Sequence, residues 1–161
     1  MLKRETAVEL ANEWHDLVRG DKALDAQYGS LISALTKLLP ATVENGGAAV
    51  VNGTPSVIAC DQAAVYVIGF APTDNGHFGV QFARHPLAGA ASISGCDDFD
   101  SKRMATIRHW RFVWPSGVEV AFTSVTDRRG RWESGPDSAD GVARYMARAV
   151  GWELPTSGNV R

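Results

Sequence analysis

Cysteine is scarce in this sequence: the only two, Cys60 and Cys96, stand far apart and form no CxxC pair. Such spacing gives no sign of a disulfide scaffold. No apolar run reaches the roughly 20 residues that span a bilayer, and no signal-peptide core follows Met1. We therefore expect two reduced thiols in a cytoplasmic protein without a transmembrane segment.

A surplus of positive charge is also missing. Lys and Arg together number 16 against 18 acidic residues, which gives a formal net charge of −2. No long-range field therefore attracts nucleic acid or anionic lipid, and such binding would need a local patch. The length of 161 residues, with 45% hydrophobic and 21% charged side chains, predicts one globular domain, 1–161.

Catalytic and metal-binding motifs are absent as well. The histidines at positions 15, 77, 85 and 109 show no HExxH or paired spacing, and neither GxSxG nor a phosphate-binding glycine loop occurs. Asp97, Asp98 and Asp100 could suggest a hard cation, but Lys102 stands where the EF-hand pattern needs an oxygen ligand. We expect these aspartates in an exposed turn, and we predict no catalytic residue, metal or cofactor.

Two amphipathic helices are predicted at the start of the chain. Apolar residues recur at helical spacing in residues 5–19 and again in residues 28–39. Asp25 is a candidate N-cap for the second helix, and Pro40 ends it. Residues 1–40 therefore predict a helical hairpin.

A third helix is predicted near the carboxyl end, with Asp137 or Ser138 as its cap and Gly151 as its stop. Its apolar positions are Val142, Tyr145, Met146, Ala149 and Val150. Residues 155–161 are expected to fray.

Between the helices, turn signals such as Asn52-Gly53 and Pro115-Ser116-Gly117 divide short β-rich segments and predict an antiparallel meander. The candidate strands are residues 48–51, 56–60, 64–71, 77–83, 90–94, 105–114 and 118–125.

The register of the last hairpin follows from its three-residue turn. Trp114 would lie opposite Val118, Trp110 opposite Phe122, and Arg108 opposite Ser124. One face is then mostly aromatic and aliphatic while the other is mostly polar, as expected when one side of a sheet is buried.

The stretch "VIACDQAAVYVIGFA", residues 57–71, is apolar apart from two polar residues in its middle. We interpret Asp61-Gln62-Ala63 as a turn between two paired strands. The second strand is apolar on both faces, so it needs cover on both sides. The N-terminal helices are the obvious source of the second layer.

This order of elements resembles the small bacterial members of the pleckstrin-homology-like (PH-like) superfamily. "VIACDQAAVYVIGF" resembles their second and third strands, "RFVWPSGVEVAFTSV" their last hairpin, and "SADGVARYMARAVGW" the helix that plugs one open end of their barrel. The resemblance covers residues 47–152. It implies an α+β fold in which an N-terminal helical hairpin precedes an antiparallel seven-stranded barrel or sandwich closed by a C-terminal helix.

The resemblance implies binding rather than catalysis, in a non-catalytic intracellular adaptor that contacts a protein partner or forms a homo-oligomer. Phosphoinositide-binding members carry basic residues on their first two strands, whereas "AAVVNGTPSVIAC" contains no Lys or Arg. Phosphoinositide binding is therefore not expected. A peptide ligand could bind along an exposed strand edge or beside the last helix.

Six basic residues are candidates for binding an acidic partner: Arg108, His109, Arg111, Arg128, Arg129 and Arg131. The predicted register places Arg108 on the opposite face from His109 and Arg111, so the ordinary interpretation is a solvated sheet face and a charged loop. Nearby aromatic residues would suit single-stranded nucleic acid. Because we expect those aromatics in the core, we predict no specific nucleic acid partner.

An alternative hypothesis is an α+β cone similar to the nuclear-transport-factor-2-like (NTF2-like) superfamily. That fold would enclose a pocket for a small apolar molecule and would suit an isomerase or dehydratase, with His15 and Asp16 as pocket groups. It usually ends on a strand, however, whereas this chain is predicted to end on a helix.

Overall fold

The computed structural model describes residues 1–89, 92–102, 104–125 and 139–153. The α-helices in these ranges are α1 (Arg4–Leu17), α2 (Lys22–Asp25), α3 (Tyr28–Leu38) and α4 (Ala139–Ala149). The strands are β1 (Asn45–Val51), β2 (Thr54–Cys60), β3 (Ala64–Pro72), β4 (Phe78–Pro86), β5 (Ser92–Asp100), β6 (Ala105–Val113) and β7 (Glu119–Val125). Among these helices, none combines the length and apolarity needed to cross a membrane.

The strands form an antiparallel meander that is divided into two sheets. The first has four strands in the order β1-β2-β3-β4, and the second has three in the order β5-β6-β7. Every neighbouring pair is antiparallel. The α+β class and the number of predicted strands are thus confirmed within the described residues. The strands do not close into one continuous ladder.

The last hairpin has the predicted register. Phe112 pairs with Val120, Trp110 with Phe122, and Arg108 with Ser124. At the turn, the Trp114 amide donates to the Val118 carbonyl at 2.9 Å. The predicted aromatic face is buried, since its aromatic side chains are at most 6% exposed: Trp110, Phe112, Trp114 and Phe122.

Two hydrophobic cores lie on opposite faces of the four-stranded sheet. Val57, Ala59, Ile68 and Phe70 pack against the buried stripes of α1 and α3. On the other face, the strand residues Ile58, Cys60 and Val65 pack against the second sheet and α4. The prediction that the N-terminal helices cover one side of the central strands is therefore confirmed.

Trp14 anchors the helical layer to the sheet. Its side chain is fully buried, its ring centroid lies 5.7 Å from that of Phe70, and its indole N–H donates to the Pro55 carbonyl at 3.2 Å. One large side chain of α1 thus supplies both apolar contact area and a satisfied polar group.

A buried polar network docks α4 onto the second sheet. Asp140, which is 1% exposed, accepts hydrogen bonds from the Ser124 hydroxyl at 2.9 Å and from Arg144 Nε at 2.6 Å. The Ser124 hydroxyl oxygen in turn accepts from the Trp110 indole N–H at 3.0 Å. The network fixes the orientation of the helix, because each buried polar group in it has a partner.

The end of α4 follows the sequence prediction. Gly151 has a φ of +97°, and the Trp152 amide donates to the Ala147 carbonyl at 2.8 Å, as in a Schellman stop. The buried stripe differs in part from the predicted one. Ala149 and Val150 are exposed, and Ala143 and Ala147 are buried in their place. The predicted caps, Asp137 and Ser138, and the tail 155–161 lie outside the described residues.

Two further predictions about local structure were wrong. Asp25 does not cap the second long helix, since it is the last residue of the one-turn helix α2, which Asp21 caps. Asp97, Asp98 and Asp100 do not form a turn, since all three lie in β5, which continues to Asp100, beyond the predicted end at residue 94. Cross-strand pairing with the basic residues of β6 overrides the turn preference of aspartate.

We predict that Met146→Asp abolishes cooperative unfolding. Met146 is fully buried in the core between α4 and the sheets, so the variant would bury an unpaired charge at a cost of several kcal/mol, roughly the whole stability of a small domain. Thermal and urea denaturation followed by circular dichroism would check this. Ala149→Asp is the matched control on the exposed side of α4, and a sharp transition in Met146→Asp would contradict the packing of this helix.

Candidate binding groove at the sheet edge

Arg108 is bound into the sheet rather than presented to a partner. Its guanidinium makes two hydrogen bonds to the Asp97 carboxylate, at 2.7 and 2.9 Å, and lies 5.4 Å from the centroid of the Trp110 ring. The hydrogen bonds from Arg108 lower the pKa of Asp97. The charge of Arg108 is therefore paired with a carboxylate of the same sheet.

The other two basic candidates of β6 lie on the opposite face and are also paired. The His109 ring contacts the Asp98 carboxylate at 2.8 Å. Arg111 makes two hydrogen bonds to Glu119, at 2.6 and 3.1 Å. The three candidates are therefore divided between two faces and matched with carboxylates. Arg128, Arg129 and Arg131 lie outside the described residues.

The aspartates of β5 do not converge on one point. Asp97 faces the side of Arg108, while Asp98 and Asp100 face the other side, because side chains alternate along a strand. The part of the chain that the structure describes contains no group of three or more His, Cys, Asp or Glu residues placed to hold a metal ion.

The residues proposed for an NTF2-like pocket lie on the outside of the helical layer. His15 contacts Asp25, with side-chain exposures of 43% and 51%, and its ring meets that of Tyr28 edge-on at 5.5 Å. Asp16 pairs with Arg19 at 3.0 Å on the surface. Neither residue points between the helices and the sheet.

Asp61 serves the turn between β2 and β3. It is 4% exposed, and it accepts hydrogen bonds from the Thr42 hydroxyl at 2.7 Å, from the Ala63 and Ala64 amides at 2.8 and 2.9 Å, and from the Tyr66 hydroxyl at 3.2 Å. Burial alone would raise its pKa, but these bonds outweigh burial and lower it. The sequence predicts the turn, and the structure shows why an aspartate occupies position 61: its carboxylate accepts the hydrogen bonds that hold the turn.

The nearby Cys60 thiol and Tyr145 hydroxyl are held in their neutral forms. Burial is the main cause that raises the pKa of Cys60 to about 12. Burial, assisted by the hydrogen bond that Tyr145 donates to Glu44 at 3.0 Å, raises the pKa of Tyr145 to about 12 as well. Neither group is a nucleophile near neutral pH.

Within the described residues, β4 is one of the two edge strands of the four-stranded sheet, and no strand pairs with its outer side. The bonds from Thr73 N to His77 O at 2.6 Å and from Leu87 N to Ala63 O at 2.9 Å continue the β3–β4 register at its two ends. Hydrogen-bonded and non-bonded positions alternate in an antiparallel pair. The odd-numbered residues of β4 therefore bond to β3, and the even-numbered ones direct their N–H and C=O groups outwards: Phe78, Val80, Phe82 and Arg84.

Exposed apolar side chains accompany these outward backbone groups. Phe82 is 65% exposed and Val80 is 38% exposed. Both project on the face that carries the helical layer, because they pair with Ile68 and Phe70. An unpaired strand edge with an exposed aromatic residue is a template for another strand.

A groove of about 570 Å³ lies on the other face of β4, between the two sheets. Val67 and Val120 give it apolar walls, and Gln81 and His85 add polar groups. Its volume lies in the range of ligand sites, and its lining mixes polar and apolar residues. A segment bound along β4 would place alternate side chains into this groove.

His85 is fixed at one end of the groove. Its ring centroid lies 5.1 Å from that of Trp114, and the Trp114 indole N–H donates to the carbonyl of Pro86 at 2.7 Å. Burial lowers the pKa of His85. The imidazole is therefore neutral at pH 7, with one donor and one acceptor for a ligand.

Asn52 joins the two sheets at the far end of the groove. Its backbone N–H donates to the Ala121 carbonyl at 2.9 Å. Its side-chain amide donates to the Glu119 carbonyl and accepts from the Ala121 amide, both at 2.8 Å. Asn52 has a φ of +49°, which asparagine tolerates better than most residues. The sequence indicated a turn here but not this bridge to β7.

Sequence reasoning located the strand of the groove but not its role. The sequence predicts residues 77–83 as one of seven strands, but that prediction does not place the strand at an edge. Two features of the sequence could have indicated an edge, namely the run 78–83 without any charge, and Pro86, which lacks an N–H on the outward side.

In comparisons with known proteins, no family model matches the chain, and no curated protein or solved structure matches it significantly.

We predict that the His85 ring titrates below the ordinary value of 6.5. The folded state disfavours the charged ring, so the neutral His85 ring contributes to stability. This contribution is complete above the unfolded-state pKa of 6.5 and is lost as the pH falls through the lower pKa of the folded state. An NMR titration of the ring protons measures the pKa directly. The thermal midpoint should fall less with acidification in His85→Gln than in the wild type, and an equal fall would contradict this assignment.

We predict that Asn52→Ala destabilises the protein by about 2 kcal/mol, because it loses the side-chain hydrogen bonds and because alanine tolerates the positive φ less well than asparagine does. Urea denaturation measures the loss, and the Ala121 amide should exchange its hydrogen faster. Asn52→Gly separates the two causes, since it loses the side chain but tolerates the positive φ. Unchanged exchange at Ala121 in both variants would rule out the bridge.

Proposed function

We propose that this protein is a non-catalytic, PH-like binding module that takes an extended segment of a partner protein as an additional strand along β4. The observation that carries this proposal is the unpaired edge of β4, with its outward N–H and C=O groups, the exposed Phe82 side chain and the adjoining groove of about 570 Å³. Backbone bonding along such an edge gives affinity, and pockets for alternate side chains give specificity.

The arrangement of the described elements supports the PH-like part of the proposal. Four strands and then three form two sheets, and α4 packs between their ends through Val142 and Met146. The NTF2-like alternative draws less support, because α1 and α3 cover the outer face of the first sheet and the pocket groups assigned to it face solvent.

The position of the charges supports a protein ligand rather than a phosphorylated one. β4 contains one arginine, Arg84, and no lysine, and the arginines of β6 are engaged with carboxylates. A phosphate site would need several converging cations. A peptide that binds through its backbone needs only the outward N–H and C=O groups of β4.

We predict that a phage-displayed random peptide library, selected on the immobilised protein, yields peptides that bind along β4. Calorimetry with a synthetic copy of an enriched peptide should show at least about tenfold weaker binding to Phe82→Lys, because the charge would be desolvated at the new contact. Phe99→Lys is the matched control, since Phe99 is 63% exposed on the edge strand of the other sheet.

Circular dichroism should show both variants folded, since the substituted side chains lie at the surface. Two results would reject the proposed function: a selection that enriches no peptide, or enriched peptides that bind Phe82→Lys as tightly as the wild type.

A further inference from the structure

We propose that the strand added to β4 is β4 of a second copy of this chain, so that two copies form one continuous eight-stranded antiparallel sheet across a two-fold axis. This inference rests on the proposed function, since it names the partner of the same edge. It commits to a self-complementary contact, which a two-fold dimer requires.

The outward hydrogen-bonding groups are well matched in a register centred on Gln81. If the axis passes Gln81, Val80 lies opposite Phe82 of the second copy, and Phe78 lies opposite Arg84 of the second copy. All four outward-facing residues then fall at hydrogen-bonded positions, where each pair exchanges two bonds. Shifting the axis to Phe82 would place Pro86, which has no N–H, opposite Phe78 and lose a bond.

The side chains also match in this register. Val80 and Phe82 are the exposed apolar residues of β4, at 38% and 65%, and each would cover the other across the axis. An aromatic residue beside a β-branched one is a favourable cross-strand pair. Arg84, whose guanidinium lies 6.0 Å from the centroid of the Tyr66 ring in its own chain, would lie opposite Phe78 of the second copy.

Charge distinguishes this edge from the edge formed by β5. β4 contains no carboxylate, and the register keeps the two Arg84 side chains at opposite ends of the overlap. β5, the edge strand of the second sheet, carries Asp97, Asp98 and Asp100. Pairing β5 with its own copy would bring like charges together, which is how natural edges are protected from self-pairing.

Sedimentation equilibrium of the full chain, from about 1 to about 100 µM, tests the dimer. We expect the wild type to dimerise and the double variant Val80→Lys/Phe82→Lys to remain a folded monomer, because four lysines would meet at the axis. Phe99→Lys should dimerise like the wild type. A wild-type monomer at every concentration, or a dimer that the lysines leave intact, overturns this inference.

Cysteine cross-linking tests the register. Residue 81 would face its own copy at a non-hydrogen-bonded position, with the Cα atoms about 4.5 Å apart, which is within reach of a disulfide. On a Cys96→Ser background, Gln81→Cys should form a linked dimer under mild oxidation. Ala83→Cys should not, since residue 83 would face Gly79 of the second copy; the reverse pattern overturns the register.

These outcomes separate the inference from the proposed function. If the chain is monomeric while selected peptides still bind in a manner that depends on Phe82, the edge binds partner segments and the self-pairing is wrong. If the chain dimerises through β4, a selected peptide should compete with the dimer.

Discussion

The structure depends on the burial of β2 and β3 on both faces. Both faces of these strands carry apolar side chains, so neither face can be exposed to water without cost. The helical layer covers one face through Trp14 and its neighbours, and the second sheet with α4 covers the other. This requirement fixes a three-layer order, in which the four-stranded sheet lies in the middle. It also leaves β4, which is further from both layers, as the exposed strand.

Polar groups determine how the layers are oriented. Asp140 links α4 to β7 through Ser124, and Asn52 links the β1–β2 turn to the backbone of β7. Apolar burial brings the layers together but has little directional preference, whereas hydrogen bonds accept few geometries. The two contacts act at different places, one at the closing helix and the other beside the groove. Together they tie the second sheet to α4 and to the β1–β2 turn.

The edge strands β4 and β5 differ in chemistry, and this difference connects the fold to the proposed function. β5 is lined with aspartates that pair with Arg108 and His109 of β6, so its charges both support the sheet and discourage a further strand. β4 has exposed Phe82 and Val80 and unpaired backbone groups. The basic residues of β6, which are the most conspicuous charges in this part of the sequence, are thus structural partners. The strand without carboxylates, β4, is the one proposed to bind.

Sequence by itself determined the local elements with a strong period: the N-terminal helices, the strands on either side of Asp61, the register of the last hairpin around its Pro-Ser-Gly turn, and the Gly151 stop. These follow from spacing within a few residues. Tertiary structure alone decided the division into two sheets, the pairing that draws Asp97 and Asp98 into β5, the bridge made by Asn52 and the exposure of β4. Each of these depends on which strands become neighbours, and that choice is made by contacts between residues far apart in the chain, whose energies local patterns do not contain.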